Sequence, residues 1–385
     1  MSQTIAENVP MLDLKSEVAG LYDELRAATD RVLRSGVFIG GPEVAAFEQE
    51  TADFIGVRHA IGLNSGTDAL VIGLEALGVG PGDEVITTAF SFFATSEAIL
   101  RVGARPVFCD IDPVTLNMDP AGVEALVTER TKALLPVHVF GLPARLQELT
   151  ALAERHDLAI LEDCAQAFGA RAGAEGGTRG SHTGGARVGS IGALGAFSFY
   201  PTKNLGAYGD GGMLTTNDDD LATLVRSLRN HGSKPGDKYT HDRLGHNSRL
   251  DAMQAAILRV KLPLVDAWNE RRAAVAASYR AAFARSGVRH VTPPPVHPEH
   301  VYHQFTVQVP ADRRPAYERA LTAAGVEFSR FYPSSLTSQP VGTSFGSAPH
   351  ADAVTSRVLS LPIRPDLSEA AVGRVSDTLA AAERG

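Results

Sequence analysis

The chain lacks the features that mark disulfide-stabilised, metal-binding and membrane-spanning proteins. Its 385 residues include only two cysteines, Cys109 and Cys164, which lie at the ends of predicted strands without the spacing of metal ligands. We therefore expect free thiols in a reducing, cytoplasmic compartment, with no structural disulfide and no bound metal. No apolar run approaches the length of a membrane span, and the polar first residues are not typical of an export signal.

An excess of basic residues is also missing, because 36 Lys and Arg residues stand against 44 Asp and Glu residues, for a net charge of −8. Domains that bind nucleic acids usually present a clustered basic face, so we expect no nucleic-acid partner. Hydrophobic residues make up an ordinary 44% of the chain. At this length, that share predicts a substantial core in one large domain or in two.

The most informative segment, residues 197–206, places one lysine, Lys203, in a loop just after an apolar, aromatic strand, with several glycines behind it. A lysine on a rigid loop, beside room for a flat molecule, is what a covalent bond to an aldehyde cofactor requires. Taken alone, this lysine would be interpreted as a solvated residue in a glycine-rich turn.

A second segment, residues 158–167, is typical of a buried parallel strand that ends in a carboxylate, Asp163. Ligands bind at the carboxyl ends of strands in open α/β sheets. Pyridoxal phosphate is an electron sink only while an acid keeps its ring nitrogen protonated. For Asp163 alone, a helix N-cap is the alternative interpretation. With Lys203, it predicts a pyridoxal phosphate site, in which Gln166 could bond the phenolic oxygen of the cofactor.

A phosphate site is predicted at residues 64–70, where small residues follow a short apolar strand and open a pattern with helical spacing. Free N–H groups at a helix start, helped by the helix dipole, form a cradle for anions. The donors that we predict are Ser65, Gly66, Thr67 and, from the strand before the lysine, Ser198. Helix capping alone would also explain Ser and Thr at this place.

An aromatic residue should stack on the cofactor ring, because planar rings gain from offset stacking. Residues 87–95 follow a predicted strand and contain three phenylalanines. Such a cluster is also typical of a hydrophobic core, so one of the three would have to face the site.

In this order, segments 40–44, 64–70, 162–167 and 197–204 resemble the DegT/DnrJ/EryC1/StrS family, and the resemblance extends from about residue 12 to about residue 367. It implies an α/β protein of fold-type I, the fold of pyridoxal-phosphate-dependent aminotransferases. The large domain, predicted at residues 12–245, would have a mostly parallel central sheet flanked by helices. A smaller C-terminal α+β domain, predicted at residues 246–385, would include the inter-domain helix.

The resemblance also implies roles for individual residues. Lys203 matches the catalytic Schiff-base lysine, Asp163 the catalytic carboxylate at the ring nitrogen, and Phe92 the stacking aromatic. The full set of implied cofactor contacts is Ser65, Gly66, Thr67, Phe92, Asp163, Gln166, Ser198, Lys203 and Asn247. Implied substrate contacts are Tyr332, His303 and Arg249. Because Asn247 matches a position that reaches the cofactor phosphate of the neighbouring subunit, we expect a homodimer with shared active sites.

By resemblance, the expected reaction transfers an amino group from L-glutamate to a nucleotide-linked keto sugar, and pyridoxamine phosphate is the intermediate form of the cofactor. Residues 247–251 resemble the form common in the family's 3-aminotransferases. They favour C3 of a dTDP-3-keto-6-deoxyhexose. Phe331 stands where the family often has a histidine before Tyr-Pro, and a second histidine often found shortly after is also missing; both departures indicate an unusual sugar.

Several alternatives remain at this point. One is a 4-aminotransferase acting on a GDP-, dTDP- or UDP-linked keto sugar, and another is a different fold-type-I enzyme, such as an amino-acid aminotransferase. The dehydratase branch of the family has a histidine in place of the lysine, which Lys203 argues against. A catalytically silent, cofactor-binding regulator would need an added nucleic-acid domain.

Two further predictions concern the organisation of the chain. Residues 172–187 are rich in Gly, Ser and Thr and predict a mobile surface loop. Residues 250–283 predict a helix that joins the domains and breaks at Pro263, and residues 302–307 predict a strand of the smaller domain.

Overall fold

The computed structural model describes residues 8–173, 185–234, 236–341 and 346–384. The α-helices of these residues are α1 (Leu14–Gly20), α2 (Tyr22–Ser35), α3 (Gly41–Ile55), α4 (Gly66–Ala76), α5 (Ala94–Arg101), α6 (Pro120–Val123), α7 (Leu146–His156), α8 (Asp219–Leu228), α9 (Ala252–Lys261), α10 (Val265–Ser286), α11 (Arg314–Ala323), α12 (Pro349–Thr355) and α13 (Glu369–Arg384). Short 3₁₀ turns occur at Glu124–Leu126, Val139–Gly141, Leu262–Leu264 and Leu336–Ser338. Within these ranges, no helix combines the length and the apolar character needed to cross a membrane.

The strands are β1 (His59–Leu63), β2 (Glu84–Thr88), β3 (Arg105–Cys109), β4 (Thr131–Leu135), β5 (Ala159–Asp163), β6 (Leu194–Ser198), β7 (Gly212–Thr216), β8 (Ser233–Lys234), β9 (Asp237–His241), β10 (Phe305–Gln308) and β11 (Val358–Leu361). Seven of them form the main sheet in the order β1-β7-β6-β5-β4-β2-β3. Only β7 runs antiparallel to its neighbours β1 and β6; the remaining pairs are parallel. The prediction of a mostly parallel central sheet is therefore confirmed.

Helices cover both faces of the main sheet, which explains why its strands are buried along most of their length. β2 and β7 are buried at every position, as expected when neither face meets water. One hydrophobic cluster contains Phe47 of α3 and Phe197 of β6, and another contains Leu70 of α4 and Leu161 of β5. The two clusters form the core of the large domain.

A separate cluster forms the core of the smaller α+β domain, in which β10 pairs antiparallel with β11. Its largest members include Tyr279 of α10 and Phe305 of β10, whose rings stack with centroids 4.8 Å apart. The helical connection is interrupted by the 3₁₀ turn at Leu262–Leu264, around Pro263, as predicted. α9 is buried in the large-domain core, whereas α10 contributes to the small-domain core from Val275 onward. The boundary between residues 245 and 246 stays a prediction.

The prediction for residues 302–307 was wrong at its start, because β10 begins at Phe305. Tyr302 has a φ of 45°, in the left-handed region, which is incompatible with an extended strand. Most of the predicted glycine-rich loop lies outside the described residues. Its two ends meet at an antiparallel bridge between Arg171 and Arg187.

Three elements bring polar groups to one edge of the main sheet. β5 and β6 are parallel, with Asp163 opposite Ala196, so Asp163 and Ser198 end at the same edge. β7 runs the other way, and its first residue, Gly212, pairs with Leu63 at the end of β1, just before α4. This is the edge at which ligands bind in open α/β sheets.

Candidate active site

A cavity of about 480 Å³ opens at this edge of the sheet. Ten of the predicted site residues line it: Ser65, Gly66, Thr67, Phe92, Asp163, Gln166, Ser198, Lys203, His303 and Tyr332. The fold therefore gathers residues that are far apart in the sequence into a single site. The other two predicted residues, Asn247 and Arg249, do not line it within one chain.

Lys203 lies in the turn after β6, where its backbone N–H donates to the carbonyl of Tyr200 at 2.9 Å. The side chain is partly buried and lines the cavity. Burial lowers the pKa of Lys203 to about 8, although the nearby carboxylate of Asp163 favours the charged form. A substantial share of this amine is neutral at mildly alkaline pH, as a nucleophile or base must be.

Asp163, at the end of β5, is only 4% exposed. Its Oδ2 accepts from the Thr95 hydroxyl at 3.0 Å, and its Oδ1 accepts from the Ala165 N–H at 3.1 Å. Burial raises the pKa of Asp163, while these two hydrogen bonds and the positive charge of Lys203 act in the opposite direction. A carboxylate in this setting is stabilised further by a cationic partner, such as a protonated pyridine nitrogen.

The side chain of the neighbouring residue, Glu162, does not line the cavity but binds the surrounding backbone. Its carboxylate accepts from three backbone N–H groups of residues 189–192 and from Nε2 of His138. The His138 proton lies on Nε2, because Nδ1 accepts from the Ala144 N–H at 3.0 Å. His138, Glu162 and Cys164 are close enough to hold a metal ion together. The polar atoms of His138 and Glu162 are already engaged in these hydrogen bonds, so the proximity of the three residues does not require a metal ion.

A backbone hydrogen bond on the side away from the cavity fixes the amide orientation of Gln166. Its Oε1 accepts from the Phe140 N–H at 2.7 Å, so the NH₂ group points the other way and donates to the Tyr332 hydroxyl at 2.7 Å. Gln166 therefore offers a donor at the cavity, which suits an anionic phenolic oxygen. The Tyr332 ring packs edge-on against Phe90, with centroids 5.7 Å apart, and burial raises the pKa of its hydroxyl.

The start of α4 forms a cradle for an anion. Ser65 caps the helix and accepts from the Asp68 N–H at 3.1 Å, while the N–H groups of Gly66 and Thr67 have no acceptor in the described part of the chain. A Cβ atom on Gly66 would lie 2.6 Å from the Cβ of Ser198, so only glycine lets β6 come this close to the helix. Two unpaired N–H groups and nearby hydroxyls fit a phosphate group.

Phe92 supplies the exposed aromatic surface of the site. It lies just before α5 and is 60% exposed although it lines the cavity. The other two phenylalanines of its segment, Phe90 and Phe93, pack in or against the core. The donors, the carboxylate, the amine and this ring together fit a phosphorylated heteroaromatic aldehyde.

Some residues of the site were not predicted from the sequence. Ser91 and Thr95 form a buried hydroxyl pair, 2.9 Å apart, behind Asp163. Both lie in the segment 87–95, but no local signal indicates their role, because the contact of Thr95 with Asp163 joins residues 68 positions apart. Further lining residues outside the predicted set include Tyr200, Thr202, Asp210, Gln304 and Phe331.

Asn247 and Arg249 lie outside the cavity, between β9 and α9. Asn247 is exposed and accepts a hydrogen bond from Arg249, which also donates to Oδ1 of Asn230 at 2.7 Å. The two residues thus form one polar cluster on the surface of the chain.

The sequence matches the model of the DegT/DnrJ/EryC1/StrS aminotransferase family over residues 21–380. It is 48% identical over 94% of its length to the pleiotropic regulatory protein of Geobacillus stearothermophilus, of which it covers 95%. It is 44% identical to the UDP-N-acetyl-3-dehydro-α-D-glucosamine 3-aminotransferase of Acidithiobacillus ferrooxidans, with 98% of each chain covered. It is 43% identical to the dTDP-3-amino-3,4,6-trideoxy-α-D-glucose transaminase of Streptomyces venezuelae, covering 98% of this chain and 97% of the relative.

The fold is similar to that of solved structures as well. The crystal structure of S. venezuelae DesV in complex with a ketimine intermediate superimposes with a TM-score of 0.91 at 43% identity. The match covers 99% of this chain and 100% of that chain.

Proposed function

The chain belongs to the DegT/DnrJ/EryC1/StrS aminotransferase family, and we propose that it uses pyridoxal 5′-phosphate to transfer an amino group from L-glutamate to C3 of a nucleotide-linked keto sugar. The observation that carries the proposal is the convergence of Lys203, Asp163 and the start of α4 on one cavity. Each of the three supplies a group that this chemistry needs.

The chain's own residues would hold the cofactor at four points. The N–H groups of Gly66 and Thr67, with the Ser198 hydroxyl, would bind its phosphate, and Asp163 would pair with its ring nitrogen. The Gln166 NH₂ group would donate to its phenolic oxygen, while Phe92 would stack on the ring. When bound, pyridoxal phosphate supplies an aldehyde for amine exchange and a protonated ring that accepts electrons.

Lys203 would perform both the exchange and the proton transfer. Its Nζ lines the cavity and would be the amine that holds the cofactor's aldehyde group until an amino donor takes its place. With a pKa lowered to about 8, Nζ would also be able to hold and move the proton of the carbon that carries the donor's amino group. Asp163, which accepts hydrogen bonds from Thr95 and Ala165, would keep the proton on the ring nitrogen of the cofactor.

The sugar and the position of amination are supported by two observations. Residues 247–251 resemble the form typical of 3-aminotransferases, and the two relatives named as sugar aminotransferases carry the 3-position in their names. Those relatives differ in nucleotide, UDP in one and dTDP in the other. We favour the dTDP-3-keto-6-deoxyhexose class, because Phe331 adds an apolar wall to the cavity where a deoxygenated sugar edge would be accommodated.

The active unit would be a homodimer in the cytoplasm. Asn247 has no contact with the cavity of its own chain, which supports a role at the phosphate site of the partner. The two cysteines are buried and free, which supports our expectation of a reducing compartment.

An absorption titration tests the function against its main rivals. Glutamate alone should convert the purified, cofactor-loaded protein to its pyridoxamine form, and a nucleotide-linked 3-keto sugar should reverse the change. A protein that does not respond to glutamate would be a catalytically silent, cofactor-binding regulator; the Geobacillus relative is named as a regulatory protein. Reversal by simple 2-oxo acids beyond 2-oxoglutarate, but not by any keto sugar, would identify an amino-acid aminotransferase.

A further inference from the structure

A chain of hydrogen bonds between buried side chains runs from the backbone of Phe168 to the cavity. Its members are Asn269, Asn204 and His303, which are 3%, 3% and 9% exposed. Asn269 Nδ2 donates to the Phe168 carbonyl at 3.0 Å. Asn204 Nδ2 donates to Asn269 Oδ1 at 2.8 Å and to the Val301 carbonyl at 3.1 Å. Because a backbone carbonyl only accepts, the two carbonyls fix which end of each amide is the NH₂ group.

The orientation of Asn204 determines where His303 carries its proton. Asn204 Oδ1 lies 3.2 Å from Nδ1 of His303. Since an amide oxygen can only accept, Nδ1 must donate, and the neutral ring then has a lone pair on Nε2. His303 lines the cavity, and its Nε2 has no hydrogen-bond partner among the residues that the structure describes.

The surroundings keep this ring uncharged. Burial, together with the positive charges of Lys203 and Arg272, lowers the pKa of His303 well below its ordinary value. A protonated ring would place a further positive charge near the amine of Lys203, on a residue that is only 9% exposed. At neutral pH the ring therefore offers a lone pair to the cavity and no second N–H.

A lone pair in this position discriminates between ligand groups. It attracts a hydroxyl or another N–H or O–H donor, and it repels a carboxylate, a carbonyl oxygen or an ether oxygen. The carboxylates of an amino-acid donor should therefore bind elsewhere in the cavity. A ring hydroxyl of a sugar is the donor that the proposed acceptor offers.

We propose that His303, held as the Nδ1–H tautomer by Asn204 and Asn269, accepts a hydrogen bond at Nε2 from a ring hydroxyl of the acceptor sugar. This inference rests on the proposed function for the identity of the ligand, but its tautomer rests on the protein alone. Asn204 and Asn269 act as positioning residues, whereas His303 contacts the substrate.

The tautomer can be measured without any sugar. The cofactor-loaded protein, labelled with ¹⁵N in its twelve histidines, is compared by solid-state NMR with the His303→Gln variant, so that the missing signals belong to His303. We expect a neutral ring protonated at Nδ1 at about pH 7. A neutral ring protonated at Nε2, or a doubly protonated ring, would overturn the proposal.

Kinetics test the hydroxyl contact. In His303→Phe, the KM for the keto sugar should rise about tenfold, the effect of one lost hydrogen bond, and the KM for glutamate should rise much less. His300→Phe is the matched control, because His300 lies in the same segment, is buried and does not line the cavity. It should change the sugar KM by less than about twofold. Equal rises in the two KM values, or no rise in His303→Phe, would contradict the contact.

Sugars that each lack one ring hydroxyl identify the donor. One of them should lose about tenfold in affinity with the wild-type protein and nothing further with His303→Phe, because the two changes remove the same hydrogen bond. If every analogue loses as much with the variant as with the wild type, Nε2 binds Lys203 or water instead, and the proposal fails. A wild-type protein that aminates no sugar would defeat the proposed function, while the NMR measurement would still decide the tautomer.

Discussion

At the scale of single residues, Lys203 and Asp163 illustrate how one cavity changes two side chains in opposite directions. Burial destabilises the charged form of both, so it lowers the pKa of the lysine and raises that of the aspartate. Their mutual attraction limits both changes. The result is an amine that loses its proton easily, next to a carboxylate that gains from a cationic partner.

The lowered pKa of Lys203 predicts how fast the cofactor-free protein captures pyridoxal phosphate. Only the neutral amine attacks the aldehyde, so the rate should rise with pH through a midpoint of about 8 and then level off. An unperturbed lysine would have its midpoint near a pH of about 10.4. The rate can be followed by stopped-flow absorbance at a series of pH values. A rate that still increases steeply above about pH 9.5 would contradict the lowered pKa.

Asp163→Asn should cripple the half-reaction with glutamate and leave the fold intact. An amide can keep part of the hydrogen-bond geometry, but it cannot hold the proton on a pyridine ring, so the electron sink is weakened. The rate of conversion to the pyridoxamine form measures the loss, and thermal unfolding verifies the fold. In the described part of the chain no helix follows Asp163 directly, so the helix-capping interpretation does not apply. Near-normal conversion by this variant would leave the turn contact with the Ala165 N–H and the Thr95 hydrogen bond as the only roles of Asp163.

Most of the cofactor side of the cavity could be predicted because each residue lies in a local pattern. A carboxylate after a buried strand, small residues at a helix start and a lysine after an apolar strand are all visible within a few positions. Thr95 could not be assigned to Asp163, because their contact joins residues 68 positions apart. For the same reason, the hydrogen bond of Asn204 to Asn269, 65 positions away, is visible only in the fold.

At the scale of elements, the approach of α4 to β6 determines the phosphate site. Gly66 allows this approach, since a side chain there would meet Ser198. The predicted start of β10 was wrong because of the local backbone conformation. The aromatic and β-branched residues among 302–307 are typical of a strand, but Tyr302 adopts a left-handed conformation, and the segment before Phe305 instead lines the cavity with His303.

Gly66→Ala should weaken cofactor binding by about 10- to 100-fold, the effect of losing a hydrogen bond to a charged group. The added methyl group would push the first turn of α4 away from Ser198 and misalign its N–H groups. Gly80→Ala is the matched control, because nothing lies within 4 Å of the Cβ that it would add. Fluorescence titration with pyridoxal phosphate measures both variants. Equal affinities in the two would contradict the cradle.

At the scale of the whole molecule, the single chain leaves several apolar side chains in water. Phe38 and Ile39 before α3, and Tyr239 and Leu244 near Asn247, are all exposed. Such residues around a polar cluster are what the surface of a two-fold symmetric dimer would contain. We expect these residues to belong to the dimer surface through which Asn247 would reach the partner's site.

Mixing two inactive variants tests whether active sites are shared. Lys203→Ala and Asn247→Asp should each be inactive, the second because its carboxylate repels the cofactor phosphate. If each chain completes the other's site, a mixed dimer has one site with both changes and one with neither. Random re-pairing of equal amounts should then restore about a quarter of wild-type activity. No recovery, with subunit exchange verified by mass spectrometry, would place Asn247 in the site of its own chain.

The most direct test of the central claim follows the nitrogen atom itself. The purified protein is incubated with pyridoxal phosphate, ¹⁵N-labelled L-glutamate and a panel of dTDP-, UDP- and GDP-linked 3-keto and 4-keto sugars. We predict that mass spectrometry detects a ¹⁵N-labelled amino sugar from a 3-keto member, and that NMR locates the label on C3. A label on C4, or no labelled sugar from any member while 2-oxo acids accept the label, would contradict the account.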